Sequence, residues 1–313
     1  MADAPPVTLY LRQLSQKEQQ IQSEKDYGIE RLRTANMNVL YKYCDREGVE
    51  GILRTLELKL PYISDVNDPL ECLPYLYCPD DKAAIDERCL SAFERDNRPL
   101  PVDYKEKLDE LIEEGKIQND LVDAHRKVLE EYNRTKGCLL SVSDNAKETV
   151  MWAHYAERHK GGVIGIDFDN ICPTTNKPVG IKMRSVDYSE NRPKINVLEE
   201  PEESISEEEI RKTVGTKSIG WSYEKEYRAI FLVDALETLQ QQGLAHLEDF
   251  NGRKTWFLRL NTESIREIVF GLFTEDSLRL AIRKLVERPE LQHVKLHQAE
   301  EAETYTLNLK VIA

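Results

Sequence analysis

Trp221-Ser222-Tyr223-Glu224-Lys225-Glu226-Tyr227-Arg228 runs straight into Ala229-Ile230-Phe231-Leu232-Val233. An aromatic and β-branched stretch of this kind predicts a strand over Tyr223–Val233. Alternation along that strand sends Glu224, Glu226 and Arg228 to one face. A cross-paired Glu and Arg on a surface strand would give part of this pattern, at little gain in stability. Two carboxylates and an arginine just ahead of a buried run go beyond what a plain sheet needs. A closely spaced carboxylate pair is where one pKa is raised. A carboxylate held there suits hydrogen bonding to a sugar hydroxyl or stabilising a cationic transition state.

Downstream of that strand, Trp256–Leu260, Ile265–Phe270 and Tyr305–Val311 read as strands, and Ser277–Val286 as a helix. Upstream, Ile181–Tyr188, Val163–Phe168 and Gly137–Ser143 read as strands. Glu148–His159 reads as a helix stopped by Gly161-Gly162. The acidic run Glu199–Glu209 reads as a solvated loop and helix start. Residues 80–135 are charged and helical, with Tyr104–Glu114 and Asp120–Tyr132 the clearest periods. The opening unit is a strand at Val39–Tyr43, a helix at Arg46–Leu56 and a strand at Leu58–Ile63, followed by a turn at Val66–Pro69. Strand order does not follow a regular βαβ pattern. The expected class is α+β: a single mixed, mostly antiparallel sheet domain over 37–313, with a helical insertion at about 80–135. Residues 1–36 read as a polar N-terminal leader or helix.

Composition narrows the function classes. The 313 residues carry 57 acidic and 43 basic side chains, a formal charge of −14. That argues against a broad phosphate-binding surface and leaves nucleic acid as a substrate held by few contacts. Six cysteines form no CxxC pair, which predicts free thiols in a reducing cytoplasm and no metal site. No apolar run approaches the ~20 residues of a membrane span, and Met1–Gln16 lacks a signal-peptide core, so a soluble, cytoplasmic protein is expected.

Three more clusters interrupt otherwise ordinary elements. Tyr41-Lys42-Tyr43 closes the first strand, with both tyrosines on one face and Lys42 on the other. Two half-buried tyrosines in a sheet would look the same. Asn67-Asp68-Pro69-Leu70-Glu71 is turn chemistry, except for Glu71. Ser141-Val142-Ser143 places two hydroxyls on one strand face, ahead of Asn145 and the helix Met151-Trp152-Ala153-His154-Tyr155. A packing role accounts equally well for a histidine there. Nothing supplies a nucleophile elbow, so serine hydrolysis is not expected.

With Lys217, Leu40, Gly161-Gly162 and Ile268-Val269-Phe270-Gly271, these clusters resemble a bacterial family known as domain of unknown function 2971, in the family's order over residues 39–273. Membership implies no activity. The motif order is also similar to that of ADP-ribosyltransferases, whose sites use a basic or aromatic residue on the opening strand, a Ser-x-Ser strand and a Glu-x-Glu strand. The resemblance matches these to Tyr41-Lys42-Tyr43, to Ser141 and Ser143, and to Glu224 and Glu226. Lys42 stands where many of those enzymes have Arg or His.

That similarity implies an NAD-consuming enzyme in which Glu226 is catalytic and Glu224 its partner. NAD would be the substrate, and a protein or a nucleic acid the acceptor. Tyr41, Tyr43, Trp152 and Tyr155 would stack on nicotinamide or adenine, and Lys42 or Arg228 would meet a phosphate. Ser141, Ser143 and His154 would complete the pocket, with Asn67, Asp68, Glu71, Lys217 and Trp221 as further candidates. The family resemblance suggests a toxin or phage-defence effector. Two other classes stay open. One is a metal-dependent nuclease built from Asp68, Glu71, His154, Glu224 and Glu226. The other is a non-catalytic sensor that binds a nucleotide or a partner.

Overall fold

The computed structural model describes residues 39–172, 183–199 and 204–312. They fall in one unit, Asn38–Ala313. The expected leader at 1–36 lies outside the described residues, as do the first two residues of the strand expected at Ile181–Tyr188.

In chain order the elements are β1 (Val39–Cys44), α1 (Arg46–Thr55), β2 (Glu57–Leu60), β3 (Tyr75–Tyr77), α2 (Lys82–Arg95), α3 (Tyr104–Glu113) and α4 (Lys116–Thr135). There follow β4 (Gly137–Ser143), α5 (Thr149–Tyr155), β5 (Gly162–Asp167), β6 (Arg184–Ser185), β7 (Asp187–Ser189), β8 (Lys194–Asn196), α6 (Glu207–Val214) and β9 (Thr216–Ser218). The chain closes with β10 (Glu226–Leu232), α7 (Val233–Gln241), β11 (Ala245–Phe250), β12 (Arg253–Arg259), β13 (Ile265–Phe270), α8 (Asp276–Val286), β14 (Lys295–Glu301) and β15 (Leu307–Val311). The class is α+β, with a large mixed sheet and several helices.

The main sheet has eight strands in the order β15-β14-β13-β5-β1-β4-β10-β6. Its pairings are antiparallel except β13 with β14. The expectation of a single sheet needs correction. A three-stranded sheet, β11-β12-β2, packs against the first, and the two-stranded ribbons β3–β8 and β7–β9 are parallel pairs of their own. Leu58, Leu60, Trp256 and Leu258 of the smaller sheet meet Leu140, Val142, Ile164, Ile166 and Ala229 of the larger one, and Val49, Leu53, Leu278 and Ile282 from α1 and α8 join them. Both faces of β5 are covered, so Gly162-Val163-Ile164-Gly165-Ile166 reads as a continuous small and apolar run with no polar alternation.

The other face of the same strands carries a smaller aromatic core of Tyr43, Trp152, Val163 and Val269. Trp152 is fully buried, donates from Nε1 to the Ala146 carbonyl at 2.8 Å and meets Tyr43 edge-on. Its helix α5 ends at Tyr155, short of the stop expected at the glycines. Glu157, Arg158 and His159 follow with φ of 49°, 55° and 67°, a left-handed turn that stacks the His159 ring on Trp152. Gly161 is required where it stands, since a Cβ would lie 2.2 Å from the Cys44 carbonyl oxygen. The helical insertion at 80–135 is present as α2, α3 and α4. It is tied to α6 by the buried pair of His125 Nε2 and Glu209 Oε1, 3.0 Å apart.

Candidate functional site

β1, β4 and β10 are neighbours in the main sheet, and their register brings three of the sequence clusters side by side. Tyr41 pairs with Ser143, and Ser143 pairs with Glu226. Arg228 pairs with Ser141. Direct partners share a face, so Tyr41, Ser141, Ser143, Glu226 and Arg228 all stand opposite the apolar core. Of the residues that alternate with them, Val142 and Ala229 fill that core instead, and Tyr227 packs against it.

Glu224 does not belong to the strand. Residues Ile219–Glu224 form a 3-10 turn, and Lys225 takes a left-handed conformation at φ 44° before β10 begins at Glu226. Strand alternation therefore explains Glu226 and Arg228 but not Glu224. The backbone reversal at Lys225 instead swings Glu224 toward Glu226, and both carboxylates converge on Lys217 from β9.

A buried network results. Lys217 Nζ lies 2.6 Å from Glu224 Oε2, 3.0 Å from Glu226 Oε2 and 3.3 Å from Glu71 Oε2. Arg228 grips Glu226 with two bonds, Nε to Oε1 at 2.8 Å and Nη2 to Oε2 at 2.9 Å. Its other contacts are Glu71 Oε1 and the Val214 carbonyl, the latter at 2.6 Å. Burial opposes ionisation of Glu226, but the charge and bonds of Arg228, then Lys217, outweigh it and hold the carboxyl at about 2. Glu224 goes the other way: burial raises its carboxyl and the bond from Lys217 only partly offsets that. Burial disfavours the Lys217 ammonium, yet Glu226, Glu71 and Glu224 together raise it above its ordinary range.

Further hydrogen bonds fix Glu224. Tyr155 OH donates to its Oε1 at 2.7 Å, Asn67 Nδ2 donates to Tyr155 OH at 3.2 Å, and Ser143 Oγ donates to the Glu224 carbonyl at 2.6 Å. Tyr41 OH donates to Glu267 Oε1 at 2.8 Å across β5. The glycine at 165 leaves room for that reach, because a Cβ there would lie 2.7 Å from Glu267 Cγ. A cavity of about 280 Å³ opens between these groups, lined by Tyr41, Tyr43, Ser141, Ser143, Tyr155 and Glu226 among others.

Several expected roles need correction. Trp152 is sealed in the aromatic core and has no face free for a ligand ring. Arg228 is 4% exposed and committed to two carboxylates and a carbonyl, so it meets no phosphate. Lys42 lines the cavity, but its Nζ is spent on the Ser141 carbonyl, to which it donates at 3.0 Å. His154 is exposed and packs beside Trp221 and Tyr223 rather than in the cavity. Trp221 donates from Nε1 to Asp68 Oδ2 at 2.9 Å, which ties the Asn67–Glu71 turn to the 3-10 turn. Among the described residues no group of three or more His, Cys, Asp or Glu is placed to hold a metal ion. Of the carboxylates in the nuclease reading, Glu71, Glu224 and Glu226 are gripped by Lys217 and Arg228, and Asp68 by Trp221. Tyr188 was not foreseen: its hydroxyl accepts from the Glu226 backbone N–H at 2.8 Å. Only its place in the polar-aromatic run Asp187-Tyr188-Ser189 marked it.

Among the described residues no helix is long and apolar enough to cross a membrane. No curated protein and no solved structure matches the chain. One family model does match, from within α5 through the fourth residue of β10, a stretch that contains Tyr155, Lys217, Glu224, Glu226 and Arg228. Residues 151–229 match the model of the family described as Protein of unknown function (DUF2971).

Proposed function

We propose that this chain is an NAD-consuming enzyme of the ADP-ribosyltransferase type, acting on a protein or nucleic-acid acceptor. One observation carries the reading: Tyr41, Ser143 and Glu226 are register partners on three adjacent strands and line one cavity. A common site built from the three strand-borne signatures needs that adjacency.

The electrostatics suit the chemistry. Breaking the bond between ribose C1′ and the nicotinamide nitrogen sends the electron pair to nicotinamide and leaves an oxocarbenium-like sugar. Glu71, Glu224 and Glu226 face Lys217 and Arg228, so the buried cluster carries one more negative than positive charge when all are ionised. A fixed excess of negative charge beside the cavity favours a developing cation. Glu226, held at about 2, stays ionised at any working pH and acts as hydrogen-bond acceptor and counter-charge rather than base. Glu224, with its carboxyl raised, is the better proton acceptor. The acceptor X–H forms the C1′–X bond as the C1′–N bond breaks, and its proton passes to Glu224. Tyr41 and Tyr43 supply aromatic walls for the nicotinamide. A toxin or phage-defence role fits an enzyme that drains NAD.

The test is nicotinamide release from NAD by wild type, Glu226→Gln and Tyr41→Ala, with and without cell lysate and chelator. Release by wild type that is indifferent to chelator, abolished in Glu226→Gln and slowed at least tenfold in Tyr41→Ala is the expected result. Tyr41→Ala is included because Glu226→Gln also disturbs the buried network and lowers stability. No release by wild type under any condition overturns the reading. NAD binding without turnover would favour the sensor instead.

A further inference from the structure

A second cavity, of about 510 Å³, lies behind Glu71 and Lys217, which line both it and the first. It sits between the two small parallel ribbons: Tyr75 and Lys194 come from β3 and β8, and Ser189, Thr216 and Ser218 from β7 and β9. Its volume falls in the range that holds a small ligand.

The chemistry of the wall is mixed in an informative way. Arg192 and Lys194 are exposed at the cavity, and among the described residues no carboxylate pairs with either. Arg192 lies over the Tyr75 ring, 5.9 Å from its centroid, and Tyr75 is itself 51% exposed. Of the acidic residues in the wall, Asp68 is occupied by Trp221 and by the Leu70 N–H, and Glu71 by Arg228 and Lys217. Glu190 alone is left to oppose the two cations. So the site offers two cations for an anion, a cluster of hydroxyls for a polyol, and an open aromatic face for a ring. Phosphate, sugar and base together answer all three features.

We propose that this cavity is a second binding site, for a nucleoside monophosphate group, with Arg192 and Lys194 on the phosphate and Tyr75 beneath the base. Thr216 and Ser218 then face the ribose. Two sources share this chemistry: the adenylate half of the dinucleotide whose nicotinamide end fills the first cavity, or the phosphorylated end of a separate acceptor. The choice between them rests on the NAD reading, whereas the site itself does not.

Calorimetric titration of the full chain with adenosine 5′-monophosphate tests it without requiring turnover. Wild type should bind, and Arg192→Ala/Lys194→Ala should bind at least tenfold more weakly with an unchanged melting temperature, since neither side chain is in an ion pair among the described residues. Tyr75→Ala, a separate surface change, should weaken binding as well. No binding by wild type, or equal binding by wild type and the double variant, overturns the proposal. Should NAD displace the monophosphate, the site takes the far half of the same molecule. Should NAD leave it bound, the site takes a separate acceptor. Nicotinamide release that fails while monophosphate binding follows the expected pattern would sink the NAD reading and leave this site standing.

Discussion

Lys107 and Lys217 make nearly the same bond in very different places. On the helical insertion, Lys107 lies 2.7 Å from Asp103, with side chains 64% and 47% exposed. In the site, Lys217 lies 2.6 Å from Glu224, with both side chains 4% exposed. Water screens the first pair, and ordering two mobile side chains consumes most of its Coulomb gain. The second pair has lost its hydration, so each charge depends on its partners in the fold. A buried cluster of five charged side chains is poor evidence of stability, because well-packed apolar residues would serve as well. Its presence behind a cavity is better evidence of function.

Breaking each pair in turn should separate these two regimes. Lys217→Met leaves Glu71, Glu224 and Glu226 facing one another with Arg228 alone to compensate. The expected loss is about 3–5 kcal/mol, read from urea unfolding, as for removal of one partner of a buried ion pair. A loss below about 1 kcal/mol would mean that water reaches the network and that the contrast with Lys107 is illusory.

Acid should expose the same difference. The folded-state carboxyl of Glu226 sits at about 2, below its ordinary 4.5. Its contribution is therefore complete above pH 4.5 and is lost as pH falls toward 2, by up to about 3 kcal/mol. Across that window the urea midpoint of wild type should fall more steeply than that of Glu226→Gln. Parallel curves would remove Glu226 as a source of acid sensitivity. Lys107→Ala should leave the urea midpoint essentially where wild type has it, since water already screens the pair. A clear fall would show that the insertion depends on its surface ion pairs.

Much of this was legible in the chain, for identifiable reasons. Val39–Cys44, Gly137–Ser143 and Ile265–Phe270 announced themselves because an apolar run between polar flanks has few other places to go. Glu71, Glu224, Glu226 and Arg228 were visible as charges where ordinary packing does not want them, whereas Lys217 stood out only through the family resemblance. Their mutual pairing was not, because Glu71 and Arg228 are 157 residues apart and no local pattern links them. Ribbons such as Tyr75–Tyr77 and Lys194–Asn196 are three residues long, too short for alternation to register. Helix α7 was hidden because Leu232-Val233 continues the apolar run of β10 across the boundary where the helix begins.

The left-handed turn at Glu157, Arg158 and His159 bears on how the site keeps its shape. L-residues resist this conformation by roughly 1–2 kcal/mol each, and none of the three is a glycine. Such a turn behaves as a wound spring just past the end of the helix that carries Tyr155. The latch is Trp152, fully buried one turn back, with the His159 ring pressed flat against it at an interplanar angle of 9°. Releasing the latch would let the helix end unwind and draw the Tyr155 hydroxyl away from Glu224. A tryptophan sealed in the core thereby sets the geometry of the Glu224 carboxylate.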